Sequence, residues 1–432
     1  MSNWQKVTLD KLCFFEKGKT GLAKAIPGDY PLVTTSAERK TNDSYQFDTK
    51  AVCIPLVSST GHGHASLNYV HYQEGKFALG TILVALIPKD ETILNAQFLH
   101  LYLSRLKDII LVPLMSGAAN VSLSISKIKT VEIPLPPIDE QLKIVELFKN
   151  LVNENNELVE EINTQSSLLK QLKQTILQEA IEGKLTEKWR VKNPDIGTAK
   201  ELLEQIKTEK EKLVKDKKIK PSKPLAPINE DEIPFDIPQN WEWCRTDDIC
   251  FSISSGSTPS KDAFIGDDGI SYLKVYNIQN QKIDFHFKPQ FIKQKINNTK
   301  LKRSILYPQD VVMNIVGPPL GKIAIIPNIY PQWNCNQAIV HFKLIEPLMH
   351  KYLYYFLREL SFLKYIHFKG VAGQDNISIT QSRNILFPLP PIEEQKEIVS
   401  TIEKLFILCN ELESEINQNK VTVDNLMARV LK

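Results

Sequence analysis

Two histidines set two residues apart, His62 and His64 in SSTGHGHAS, are the nearest approach to a metal-binding motif in this chain. A zinc site needs further ligands converging on the same point, and no suitably spaced Cys, His or acidic pair supplies them. The pair reads as a Gly-rich surface loop. Six cysteines (Cys13, Cys53, Cys244, Cys250, Cys335 and Cys409) are scattered without a CxxC pair, which suits small core residues in a reducing cytoplasm. The string GPPL at 317–320 is close to the Asn-Pro-Pro-Tyr motif of amino-methyltransferases. It lacks the leading Asn or Asp and the aromatic, so it reads as a structural Pro-Pro turn. No GxGxxG or GxxxxGK loop is present for a nucleotide, and the acidic residues form no nuclease-like cluster. Catalysis by this chain alone is not expected.

The elements that would position a binding site are duplicated. IPLPPIDEQLKIVELFKNLVNENNELVEEI at 133–162 reappears, 254 residues later, as FPLPPIEEQKEIVSTIEKLFILCNELESEI at 387–416. Each copy has a strand-like run, a Pro-Pro stop, an acidic start and a long helix, with Asp139 a plausible cap of the first. The openings also match, WQKVTLDKLCFFEKGKTG at 4–21 against WEWCRTDDICFSISSGSTP at 241–259, but at an offset of 237. The second unit is therefore 17 residues longer. Between those edges the bodies barely match. Short β-rich runs such as AVCIPLVSS and FALGTILVALIP alternate with Gly, Asn and Asp turns. The first long helix carries Ile144, Phe148, Leu151, Leu158, Ile162, Leu169, Leu172 and Ile176 on one seam, with Asn155 and Gln165 in its gaps. The second carries Ile398, Ile402, Leu405, Cys409, Leu412, Ile416, Asn419, Val423, Leu426 and Val430 in unbroken 4-3 spacing. Such spacing predicts an antiparallel coiled coil between the two copies. The fold class expected is α+β: two β-rich units in pseudo-twofold relation, separated by long helices.

The chain is long enough for two or three domains. It contains no apolar run of about 18 residues for a membrane span, and its N-terminus does not read as a secretory signal. The net charge of +3 is uninformative, but its distribution is not. Residues 1–133 hold 14 Lys/Arg against 11 Asp/Glu, residues 241–386 hold 17 against 11, and the helical stretch 139–214 holds 12 against 15. Basic globular parts joined by an acidic helix point to nucleic acid at the globular parts. The excess is mild, which leaves room for a second protein to supply phosphate contacts.

The duplicated IPLPPIDEQ at 133–141 and FPLPPIEEQ at 387–395, each before a long helix, resemble the specificity subunits of Type I restriction–modification enzymes. The likeness extends to LLKQLKQTILQEAIEGKLTEKWR at 168–190 and PQNWEWCRTDDI at 238–249, where Thr246–Asp247 stands in place of the usual Leu-Gly. SYLKVYNI at 271–278, VVMNIVGPPLGKIAII at 311–326, NCNQAIVHF at 334–342, YLYYFL at 352–357 and GQDNISI at 373–379 are also family-like. The resemblance implies two target-recognition domains, 1–138 and 241–391, each reading one half of an asymmetric, interrupted double-stranded DNA site. A helical spacer at 139–219, a Pro-rich connector at 220–240 and a C-terminal spacer helix at 392–432 would hold them. It implies two modification (methyltransferase) subunits as partners, and restriction subunits. Adenine-N6 methylation and ATP-dependent cleavage would belong to those partners, with their S-adenosylmethionine, ATP and Mg; this chain itself would hold no cofactor. A stand-alone bipartite DNA-binding protein or scaffold is the alternative.

Base reading needs paired donors and acceptors on loops or strand ends, and phosphate contact needs cations. In the first domain the candidates are Lys19, Thr34, Thr35, Ser36, Ser59, His62 and His64. In the second they are Ser257, Thr258, Lys274, Tyr276, Asn277, Asn314, Lys322, Gln337 and Gln374. Lys322 is the expected phosphate contact. Asn314 and Gln337 would either read base edges or brace their loops. The Gly117 and Gly373 loops would either approach DNA closely or make a tight turn.

Overall fold

The computed structural model describes residues 4–60, 63–118, 120–221, 224–366 and 375–430, the side chains of 427–430 excepted. The chain divides into two compact units, Met1–Thr164 with Ile416–Lys432 and Gln165–Glu415. Each long helix therefore contributes to both units. His62 and Gln374 lie outside the described residues.

In the first unit the strands Cys13–Lys17, Leu83–Pro88, Ala51–Pro55 and His71–Gln73 form one sheet in that order. A second sheet runs Lys40–Asn42, Tyr30–Val33, Lys76–Leu79, Phe47–Asp48. The continuous apolar runs of the sequence follow from the position of the first sheet between two cores. Successive strand side chains point to opposite faces. Val52, Ile54, Val84 and Leu86 pack with Leu9, Phe98 and Leu103 on one face. Ala51, Cys53, Leu83 and Ala85 pack with Val33, Phe47 and Phe77 on the other. Burying both faces removes the polar alternation that a half-exposed strand would show. The helix Ala96–Ile110 covers the first of these cores and is capped by Asn95, whose side chain accepts from the Gln97 and Phe98 amides.

The second unit repeats the strand order of the first sheet but not that of the second. Cys250–Ser255, Ile339–Leu344, Val311–Asn314 and Ile323–Ile325 form one sheet, and Phe264–Ile265, Phe291–Ile292, Ile270–Leu273 and Trp333–Cys335 the other. Each of these second sheets has one parallel strand pairing, Leu32 opposite Ala78 between its two central strands in the first unit and Tyr272 opposite Asn334 at the sheet edge in the second. Each is closed by a two-stranded ribbon joining its opening segment to the strand before the Pro-Pro stop, Val7 opposite Ile133 and Cys244 opposite Phe387. The duplicated edges of the sequence are thus the paired strands that tie off each unit. The Thr246–Asp247 departure is a buried anchor. Thr246 donates to the Ser382 carbonyl at 2.6 Å, and Asp247 accepts from Arg383 at 2.7 and 3.0 Å.

The two long helices span Ile138–Ile181 and Ile392–Val430. At 1.5 Å per residue the first is roughly 65 Å long. It begins at Ile138, so Asp139 sits inside its first turn and favours the helix through the dipole rather than as its cap. The glutamine of each PPxxEQ motif is buried and fastens the turn. Gln141 donates to the Pro136 and Ile93 carbonyls at 2.8 Å and accepts from the Asn95 amide at 2.9 Å. Gln395 donates to the Pro390 carbonyl at 2.8 Å. Within the second unit, Arg190 meets Glu394 while Lys173, earlier in the chain, meets Asn410 and Glu413 farther along the other helix, an antiparallel progression. The uninterrupted seam expected of the C-terminal helix is only partly buried. Ile398, Ile402, Cys409 and Val423 are covered, whereas Leu412 and Leu426 are exposed. On the first helix Ile162, Leu169 and Ile176 are buried and Leu151, Leu158 and Leu172 exposed. Burial is dense at 398–402 and at 176–181, and elsewhere the covered stripe is narrower than the a/d seam of a closed coiled coil.

Candidate nucleic-acid interface

A glycine floor lies beneath a corresponding loop in each unit. Gly18 follows Cys13–Lys17, and a Cβ there would stand 2.1 Å from the Gly80 carbonyl oxygen. Gly256 follows Cys250–Ser255, and a Cβ there would stand 2.1 Å from the Cys335 carbonyl oxygen. Both oxygens lie at the end of the parallel-paired strand, where backbone crosses backbone without room for a side chain. The residues after each glycine are the candidates Lys19 and Ser257–Thr258. Lys19 is exposed, and its amide donates to the Gln46 side chain at 2.9 Å. The Ser257 amide donates to the Cys335 carbonyl at 3.1 Å, and the Ser257 carbonyl accepts from the Tyr272 hydroxyl at 2.8 Å. Exposed Thr258 hydrogen-bonds exposed Gln337, and Arg303 donates to the Ser257 hydroxyl at 3.3 Å. The structure therefore brings three of the second-domain candidates together and adds Arg303, which sequence reasoning missed. Its only signal was the basic run LKR at 301–303.

A second site in that unit gathers Tyr276 and Lys322 around an open hollow of about 530 Å³, with Gln279, Asn280, Gln281 and Phe287. Asn280 and Gln281 are the two central residues of the hairpin joining Ile278–Gln279 to Lys282–Ile283. Both have positive φ, 49° and 59°, as a two-residue hairpin of this twist requires. Asn tolerates that conformation and Gln does so less readily. Gln281 is held there by its own side chain, which accepts from the Ile323 amide at 2.8 Å and donates to the Gly321 carbonyl at 3.1 Å. The hairpin is thereby locked to the loop that presents Lys322. Half-buried Lys274 sits with its ammonium 5.8 Å from the centre of the Phe264 ring.

Three candidates face inward: Asn314 takes the bracing alternative, and the expected exposure of Asn277 and Thr34 is corrected. Asn314 has no exposed surface; its amide nitrogen donates to the Val316 and Pro319 carbonyls at 3.1 and 2.8 Å, and its oxygen accepts from the Lys322 amide at 2.8 Å. Asn277 is equally buried, accepting from the Lys274 amide at 3.0 Å and donating to the Phe287 carbonyl at 2.8 Å. Thr34 is buried against the Ser36 hydroxyl at 2.9 Å. A buried side chain whose polar atoms are hydrogen-bonded within its own loop is not presented to a base edge. These residues set the conformation of the loops that carry Lys322, Lys274 and Ser36. Thr35 is half-buried beside them and Ser36 is exposed.

In the first unit Ser59 and His64 share one loop. It is knitted by Ser58 donating to the His64 carbonyl at 2.6 Å and by the Thr60 and Ser66 hydroxyls 2.9 Å apart. Ser59 accepts from the Asn68 amide at 2.9 Å and His64 is exposed. Gly117 makes a tight turn at φ 134°, between Ser116 and Ser122, which pair with each other. Gly373 lies outside the described residues. Elsewhere in this unit Arg39 donates to Gln73 at 3.0 Å and to the Tyr72 carbonyl at 3.1 Å and lies 3.1 Å from the His71 ring. Burial and that guanidinium together push His71 down to about 4. In the second unit burial, seconded by Lys343 and Arg303, pushes His341 down to about 3. All six cysteines are buried. Among the described residues no cluster of His, Cys, Asp and Glu is arranged to hold a metal, and no helix is long and apolar enough to cross a membrane.

The family model for the Type I restriction modification DNA specificity domain matches residues 1–165 and 238–420, and the chain belongs to this family. It is 32% identical over 261 residues to the specificity subunit of the Type I restriction enzyme EcoEI of Escherichia coli, across 58% of this chain and 42% of that protein. It is 31% identical over 300 residues to the EcoAI specificity subunit of Escherichia coli, across 68% and 49%. These matches span less than half the length of those relatives. Among solved structures, the HsdS subunit from Thermoanaerobacter tengcongensis superposes with a TM-score of 0.57 over 99% of this chain and 96% of that one. A chain of a type I R-M system superposes with a TM-score of 0.62 over 99% and 96%. Both are 15% identical to this chain, so they speak for the fold alone.

Proposed function

We propose that this chain is the DNA-reading subunit of a Type I restriction–modification complex and performs no catalysis itself. The supporting observation is one sheet order used twice, with different side chains on the same glycine-floored loop. A fixed backbone with variable exposed groups suits the reading of two unlike half-sites. Residues 1–138 and 241–391 serve as target-recognition domains, each for half of an asymmetric interrupted site. Residues 139–219 and 392–432 form the spacer, an antiparallel coiled coil relating the domains by a pseudo-twofold, with 220–240 as connector. Lys19, Thr35, Ser36, Ser59, His62 and His64 meet DNA from the first domain. Ser257, Thr258, Lys274, Tyr276, Lys322, Gln337 and Gln374 meet it from the second, with Arg303 added. Thr34, Asn277 and Asn314 brace the loops.

The partners are two modification subunits, which carry S-adenosylmethionine and methylate adenine N6, and restriction subunits, which use ATP and Mg. The exposed leucines Leu151, Leu158, Leu172, Leu412 and Leu426 on the spacer helices are suited to added helices from the modification subunits. The complex works in the cytoplasm, on chromosomal and incoming DNA. Co-expression with a methyltransferase subunit encoded beside it, followed by mapping of methylated adenines, tests the reading. Methylation confined to one bipartite, interrupted motif is the expected result. Site-specific DNA binding by the isolated chain, with no affinity for the methyltransferase, would overturn it in favour of a stand-alone DNA-binding protein.

A further inference from the structure

Both units contain a tryptophan–glutamate contact that joins the opening strand to the start of the long helix, but among the described residues only one of the two is covered. In the second unit Trp241 donates to Glu394 Oε2 at 2.9 Å. The other carboxylate oxygen accepts from Thr186 Oγ1 at 2.8 Å and from Arg190 Nε at 2.9 Å. Asn240 adds a longer contact at 3.4 Å, and the Arg190 guanidinium lies 5.9 Å from the Trp241 ring centre. Glu394 has no exposed surface. The cover is GKLTEKWR, residues 183–190, which turns back after the first long helix at Gly183, where φ is +73°. That left-handed turn is a common helix terminator, and it brings Thr186 and Arg190, four residues apart, onto the carboxylate.

In the first unit Trp4 donates to Glu140 Oε2 at 3.1 Å. Glu140 holds the same place in PPIDEQ that Glu394 holds in PPIEEQ, and Asn3 precedes Trp4 as Asn240 precedes Trp241. Glu140 is exposed, and Trp4 is its only side-chain hydrogen-bond partner among the described residues. Among the described residues neither a hydroxyl nor a guanidinium is seated on it there. One carboxylate oxygen is thus available where, in the other unit, the equivalent atom takes two hydrogen bonds.

We propose that the Trp4–Glu140 pair is a docking point for a segment of a partner protein carrying a hydroxyl and an arginine one helical turn apart, the chemistry of Thr186 and Arg190. The partner is a different protein rather than a second copy, because this chain's own 183–190 segment is engaged on its own Glu394. Charge complementarity and the occupied counterpart in the same molecule both select such a segment. A charge-assisted hydrogen bond at a partly covered site is the dominant contact.

The probe is a fluorescein-labelled peptide of residues 181–195, IEGKLTEKWRVKNPD, titrated onto the full-length chain and followed by anisotropy. Saturable binding is expected. Glu140→Gln in the chain, and alanine at the arginine of the peptide, should each weaken it about tenfold or more. The Glu140→Gln chain should melt like the parent, since the site is exposed. Absence of saturable binding overturns the proposal, as does equal binding to the parent and Glu140→Gln chains. Failure here is separable from failure of the DNA-reading function. A chain that directs methylation to one bipartite motif but ignores the peptide loses the docking point alone.

Discussion

The two glycine-floored loops are built alike and equipped differently. Gly18 and Gly256 each bring a loop against the end of the parallel-paired strand, at the same steric limit of 2.1 Å to a carbonyl oxygen. Above Gly18 stands a lysine whose amide is held by Gln46, and above Gly256 stand a serine and a threonine tied to Gln337 and Arg303. The backbone contact tolerates no variation, whereas the side chains beyond it touch little that the fold depends on. The exposed side chains can therefore diverge between the units without destabilising either. The two Trp–Glu contacts teach the converse. The motif is the same, but Glu394 is buried under Thr186 and Arg190 and Glu140 is open, so one is a structural fastening and the other an accessible surface.

These contrasts can be broken experimentally. The largest effect is expected at the glycines. Gly18→Ala and Gly256→Ala each force backbone apart, and each should destabilise its unit by about 3 kcal/mol or more, read by denaturant unfolding. Tolerance at one position and not the other would end the equivalence of the two loops. Next is Glu394→Ala, which leaves Arg190 facing a partly buried void. A loss of roughly 3–5 kcal/mol is expected, against little change in melting temperature for Glu140→Ala. Equal losses would mean that Glu140 is covered as Glu394 is.

Acid should act on both units through their buried histidines. His71 and His341 have folded-state values of about 4 and about 3, below an unfolded value near 6.5. Between those limits the unfolded chain binds the extra proton, so stability is full above about pH 6.5 and falls as the pH drops toward 4. His341→Phe should flatten that dependence, and a denaturation series from pH 7 to 4 measures it. An unchanged slope would mean that His341 is not buried neutral. The smallest effect concerns specificity. Gln337→Ala should relax one base preference in one half-site by about 1–3 kcal/mol and leave the other half-site unaltered. Lys19→Ala should do the same in the other half, or weaken binding uniformly if it meets phosphate. Methylome mapping of each variant distinguishes these outcomes.

Much of the architecture was legible in local patterns. The repeated PLPP(I)xEQ edges, the opening tryptophans and the helical periodicity are short-range features, and each corresponds to an element defined by its own residues. The two long helices follow from apolar spacing, whereas the pairing of the ribbons and the Asn95 cap are seen only in the structure. The candidate interface was less legible, because a polar residue in a loop has the same sequence signature whether it points outward or braces the loop from within. Asn314 and Gln337 looked alike in sequence; Asn314 turned inward because three backbone groups of the VGPPLGK loop needed partners, and Gln337 stayed exposed beside Thr258.

The amino-acid sequence by itself determined that the chain carries a duplicated motif, that each copy opens a long helix, and that the Lys/Arg excess lies in the segments outside those helices. Only the tertiary structure decided that Arg303 joins Ser257, that Gln281 locks the Lys322 loop, and that Glu394 is sealed by residues some two hundred positions earlier in the chain. The physical reason is range. Periodicity and turn chemistry act over a few residues, whereas burial and hydrogen-bond partnership depend on which distant backbone arrives alongside.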